Sequence, residues 1–72
     1  MNIKDAFIGQ VVGFTWRNIR YTGRISIFFQ TEDLESGGFI DYAVVETSLT
    51  NYEIKVNKLI GVLGGQVGQE TN

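Results

Sequence analysis

The stretch Ile19-Arg20-Tyr21-Thr22-Gly23-Arg24-Ile25-Ser26-Ile27-Phe28-Phe29-Gln30 alternates apolar and polar residues. A period of two is the signature of a strand with one buried face. Ile19, Tyr21, Gly23, Ile25, Ile27 and Phe29 form the apolar set, and Arg20, Thr22, Arg24, Ser26 and Gln30 the polar one. Phe28 breaks the pattern on the polar face. Gly23 is the soft point on the apolar face, where a long strand can bend. A long strand with a glycine bend is what a small barrel needs for one strand to serve two sheets. The expectation is an all-β fold.

Toward the N-terminus, residues 9–16 read as a strand, with Val12, Phe14 and Trp16 on one face and Val11, Gly13 and Thr15 on the other. A two-residue turn at Arg17-Asn18 sets Trp16 opposite Ile19, Phe14 opposite Tyr21 and Val12 opposite Gly23. Thr15 then faces Arg20, and Val11 faces Arg24. Both apolar sets fall on the same face, so the register supports itself. Asn18 tolerates a positive φ, but Arg17 is a poor residue for a type I′ turn, so a longer loop with Trp16 partly out stays open. Residues 2–7 read as a helical turn capped by Asn2, with Asp5 in its first turn and Ile3 and Phe7 on one side. Gly9 ends it, and its expected role is to cover one end of the barrel.

Toward the C-terminus, residues 31–38 read as a polar loop in which Glu32, Asp33 and Glu35 lack the spacing of a calcium loop. Residues 39–47 predict a third strand that is apolar on both faces, with Ile40, Tyr42 and Val44 on one and Phe39, Ala43 and Val45 on the other. Such a strand is either central or covered by a partner. A register placing Arg24 near Glu46 would make a cross-strand ion pair. Residues 52–56 predict a fourth strand with Tyr52, Ile54 and Val56 inward. Asn57-Lys58 reads as a tight or 3₁₀ turn. Residues 59–63 predict a short fifth strand, and 64–72 a frayed tail.

At 72 residues, with 43% hydrophobic residues, the chain is expected to fold as one small domain over residues 1–63. It has neither Cys nor His, so it lacks thiolate zinc ligands and the commonest general base. No apolar run is long enough to span a membrane, and no signal-peptide core follows Lys4 and Asp5; a cytoplasmic location is the expectation. The net charge of −2 is unevenly spread. Residues 1–30 hold Lys4, Arg17, Arg20 and Arg24 against one acid, a balance of +3, and residues 31–72 hold a balance of −5. The two halves either pair across strands or present opposite faces to a partner.

The run Gly9-Gln10-Val11-Val12-Gly13-Phe14-Thr15-Trp16, followed by Tyr21-Thr22-Gly23-Arg24-Ile25, a charged loop, two strands, a tight turn and a short fifth strand, resembles the small SH3-like barrels. That group includes KOW, Tudor and Sm-like modules, and the likeness covers residues 8–63. It implies a five-stranded SH3-like barrel. The Ala-Leu-Tyr-Asp-Tyr opening of peptide-binding SH3 domains is absent, as is the Val-Gln-Ile-Tyr motif of SH3-like dihydrofolate reductases, and no specific family is matched. The size also resembles small phage-encoded proteins that bind and disable a host factor.

The glycine-rich run from Gly61 to Gly68 is not followed by the Lys and Ser/Thr of a phosphate loop. The serines have no His, and paired carboxylates need a large cleft. The expectation is therefore a binding module rather than an enzyme, with no cofactor. Three ligand classes stay open. A protein partner or self-association suits the acidic pI of about 4.8, the doubly apolar third strand, unpaired barrel edges and an exposed Phe28, for which burial under the loop that carries Leu34 is an equal alternative. Nucleic acid suits Arg17, Arg20 and Arg24 projecting beside Trp16 and Phe28, although nucleic-acid domains are usually basic. A small anionic ligand such as a nucleotide, held between subunits, suits the same arginines with Trp16 or Tyr21 stacking. The first is ranked highest. Arg17, Arg20 and Arg24 all unpaired on an open face would favour an anion or nucleic acid, the same arginines bonded to Asp41, Glu46 or Glu53 a protein partner, and a deep polar pocket at a subunit interface the small ligand.

Overall fold

A computed structural model describes residues 1–62. Five strands form one antiparallel sheet: β1 (Val11–Trp16), β2 (Ile19–Asp33), β3 (Gly38–Glu46), β4 (Asn51–Lys55) and β5 (Ile60–Gly61), in the spatial order β4-β3-β2-β1-β5. Two 3₁₀ turns, Ile3–Asp5 and Val56–Lys58, complete it. None of the described helical segments is long and apolar enough to cross a membrane.

The opening hairpin has the expected register, from Trp16 opposite Ile19 to Val11 opposite Arg24. Arg17 and Asn18 sit at φ +52° and +67°, so the two-residue turn forms despite the arginine. Strand β2 then changes partner at Arg24. Residues up to Arg24 pair with β1, and residues from Arg24 onward pair with β3. Gly23 sits at this changeover because there is no room for a side chain. A Cβ there would collide with the Glu46 carbonyl oxygen and lie 2.8 Å from Val45 Cγ1.

The alternation does not run through β2 unbroken. Ile25 pairs with Val45 and Ile27 with Val44, which leaves Ser26 as a bulge. One extra residue exchanges the two faces for the rest of the strand. Ile27, expected inside, is 53% exposed. Phe28, expected on the polar face, lies opposite buried Ala43 and packs against the core. It does so by this exchange of faces and not under the loop that carries Leu34, which is 87% exposed. The bulge is stabilised on its own side chain, since the Ser26 hydroxyl donates to the Val44 carbonyl at 3.3 Å.

The core is formed by Val12, Phe14, Ile25, Ala43, Val45, Ile54, Val56 and Leu59. Met1, Ile3, Ala6, Tyr21, Phe28 and Tyr52 pack on its rim. The N-terminal turn packs on this rim of an open sheet, capped as expected by Asn2, whose Oδ1 accepts from the Lys4 amide at 3.0 Å. It ends at Ala6 rather than Gly9, and Phe7 is exposed rather than beside Ile3. The polar loop is shorter than expected. Thr31 to Asp33 continue β2, and Gly37 turns the chain at φ +79°. Tyr52 and Ile54 face inward on β4 as expected, and Val56–Lys58 is the 3₁₀ turn. The fifth strand is only Ile60–Gly61, pairing with Gly13 and Val12. Leu63 and the expected tail at 64–72 lie outside the described residues.

One expectation is corrected. The sheet is not closed into a barrel, because among the described residues no strand pairing joins β4 to β5. Strand β5 is too short for this. It covers β1 only at Val12 and Gly13, so Phe14 to Trp16 have no strand on that side.

Candidate functional site

The structure separates the five candidate residues. Trp16 lies on the core side at the end of β1, 39% exposed, with its ring centroid 5.6 Å from that of Tyr52. The Arg17 guanidinium lies over the Trp16 ring at 5.8 Å. Arg20 and Arg24 are exposed on the other face of β2, paired with Thr15 and Val11. Phe28 is on the core side beyond the bulge, so it does not join the arginines in a basic and aromatic face.

Arg24 stands opposite Glu46, the register that would allow a cross-strand ion pair, yet the two make none. Arg24 Nη1 instead donates to the Gly9 carbonyl at 3.0 Å. Gly9 in turn donates to the Ile25 carbonyl, and Gln10 accepts from the Ile25 amide. The arginine therefore pins the segment leading into β1 against β2. Among the described residues, none of Arg17, Arg20 and Arg24 is bonded to a carboxylate, so the opposite charges of the two halves do not cancel by direct pairing.

Trp16 is the outermost of four packed aromatic rings. Phe14, Tyr21 and Tyr52 lie 5.1–5.6 Å apart, with Phe14 and Tyr21 stacked as the cross-strand pair. The hydrogen bond with the Tyr21 hydroxyl, then burial, pushes the Tyr52 phenol above its ordinary range. Tyr52 stays neutral at physiological pH and supplies no base.

Two surfaces lie apart from the five candidate residues. The first is the cleft left by the open sheet. It has a volume of about 610 Å³ and lies between Thr15 and Trp16 on one side and Glu53, Ile54 and Lys55 on the other, with Lys58 and Ile60 along it. Clefts of roughly 300–1,000 Å³ hold small ligands or short peptide segments. Neither Lys55 nor Lys58 has an ion-pair partner among the described residues. Finding this cleft from sequence would have required knowing that β5 stops at Gly61.

The second is the outer face of the β2–β3 hairpin. After the bulge it carries the cross-strand pairs Ile27/Val44, Phe29/Tyr42 and Thr31/Ile40. The Phe29 and Tyr42 rings stack at 5.2 Å and 9°. On this face Ile27 is more than half exposed, and Phe29, Ile40, Tyr42 and Val44 are half-buried. The double apolarity of β3 was the available signal, and the bulge supplies its β2 half.

At the hairpin tip the Asp33 carboxylate accepts from the Ser36 hydroxyl at 2.9 Å and the Glu35 amide at 3.1 Å. These bonds, Ser36 first, hold its pKa below the ordinary value near 3.8. No group of three metal-binding side chains comes together among the described residues. No family model, curated protein or solved structure matches the chain.

Proposed function

We propose that the protein is a non-enzymatic module that binds, and in binding inhibits, a protein partner, as a small phage-type inhibitor of a host factor would. The observation that carries this is the apolar outer face of β3. A strand central in its sheet has its edges satisfied, so apolar residues on its outer side need a cover from elsewhere. Ile27, Phe29, Ile40, Tyr42 and Val44 form that face, with Ile27 exposed and the other four left half-accessible. An SH3-like scaffold underlies the proposal. Its supports are the five strands, the 3₁₀ turn before β5 and the return of β5 to β1.

The test is native mass spectrometry of the protein purified gently from its host cells, beside an Ile27→Asp/Val44→Glu variant. The wild type is expected to carry a protein partner or a second copy, and the folded variant to lose it. A wild type that flies as a bare monomer, or a variant with the same complex, would contradict the reading.

A second reading, an anionic ligand such as a nucleotide or single-stranded nucleic acid, is favoured by the absence, among the described residues, of carboxylate partners at Arg17 and Arg20. It predicts an added mass of a few hundred daltons or bound oligonucleotide in the same spectra, lost in Arg17→Glu/Arg20→Glu. Arg24 is left out of that variant because it holds Gly9.

A further inference from the structure

We infer that the open seam between β4 and β1 is a second contact site, which takes an extended segment of alternating acidic and apolar residues as an added strand. The inference rests on the protein-binding reading and names the partner's chemistry at a cleft that meets the β3 outer face at Tyr42.

The two walls of the seam are strand edges. β4 is last in the sheet, so its backbone groups on the side away from β3 have no strand partner among the described residues. On the other wall β5 pairs only with Val12 and Gly13, which leaves the edge of β1 from Phe14 to Trp16 open among the described residues. Unpaired edges are templates for strand addition, where main-chain hydrogen bonds give affinity and alternate side chains give specificity.

The side chains set the chemistry of the occupant. Ile54 faces the core side of β4, and Trp16 and Ile60 line the same cleft. An added strand would place every second residue beside these apolar groups. Its intervening residues would lie on the side of Glu53 and Lys55, with Lys58 at the end. The two lysines outnumber the one acid, and among the described residues neither is engaged in an ion pair. Arg17, over the Trp16 ring, adds a third cation at the rim. Acidic side chains in the partner would meet these cations, whereas basic ones would be repelled. A free nucleotide would use the cations and Trp16 but would leave both strand edges unpaired.

The chain has a single tryptophan, so its fluorescence reports directly on the seam. The probe is a capped hexapeptide alternating glutamate and valine, titrated into the full chain. Three comparisons accompany it: the same peptide N-methylated on alternate residues, its lysine counterpart, and ATP. The expected result is a saturable change in Trp16 emission with the acidic peptide. It should be about tenfold weaker with the N-methylated peptide, which loses main-chain hydrogen bonds, and with the Lys55→Glu/Lys58→Glu variant. No response to the acidic peptide overturns the inference, as does an equal response to the lysine or N-methylated peptide. A stronger response to ATP overturns it in favour of a nucleotide site. If the titration fails while Ile27→Asp/Val44→Glu still strips the partner, the protein-binding reading stands and only the seam is wrong.

Discussion

Gly23 and Arg17 show how single residues constrain this fold. Gly23 is required by space and not by conformation, because the Glu46 carbonyl occupies the position of its Cβ. Gly23→Ala should lower stability by about 1–3 kcal/mol in a urea melt, as overpacking does. A variant as stable as wild type would show that β2 and β3 are less closely apposed. Arg17 is held at φ +52°, a region that costs an ordinary residue about 1–2 kcal/mol. Its contact with Trp16 is exposed and worth about 0.5–1 kcal/mol. Strain exceeds attraction, so Arg17→Asn, which tolerates this region, should raise stability by about 0.5 kcal/mol. A loss would show that the cation and ring are coupled more strongly than an exposed pair. Both positions were visible in the sequence as a bend residue and a poor turn residue. The physical reason at Gly23 was not, since it depends on a carbonyl 23 residues away in the chain.

Among the elements, β2 carries the main lesson. Its first half was legible because alternation, the turn and the partner strand all agreed on one register. Its second half was misread because a bulge adds one residue without any mark in composition, and every later side chain changes face. Ile25 and Ile27 look equivalent in the sequence and are not. Ile25→Asp should unfold the domain by placing a charge in the core, whereas Ile27→Asp should leave the circular-dichroism spectrum and melting temperature close to wild type. Equal effects would place the two residues on one face and remove the bulge. The hairpin tip has its own pH response. Because folding lowers the pKa of Asp33, its contribution is complete above the ordinary value near 3.8 and is lost as the pH falls below it. Amide signals of Glu35 and Gly38 should shift on acidification before those of Val45 and Ile54, and Asp33→Asn should abolish the early shift. Simultaneous loss of all four would mean that the tip is not an independent unit.

For the whole molecule, strand number, order of elements and most core residues follow from a chain that alternates strands with turn residues. The closure of the barrel does not, because it depends on whether a two-residue β5 can bridge β1 to β4. The function was less legible still. The candidate arginines were chosen by parity, which held through Arg24 and failed before Phe28. The surfaces that support partner binding, the outer face of β3 and the open seam, arise from the bulge and the short last strand. The central claim is that the seam between β4 and β1 stays open in the free protein. Hydrogen exchange followed by NMR tests it most directly. The account predicts that alternate amides of β4, those pointing away from β3, exchange rapidly while amides between β2 and β3 are protected. Protection of every β4 amide in the monomer would show the seam closed and would contradict the account.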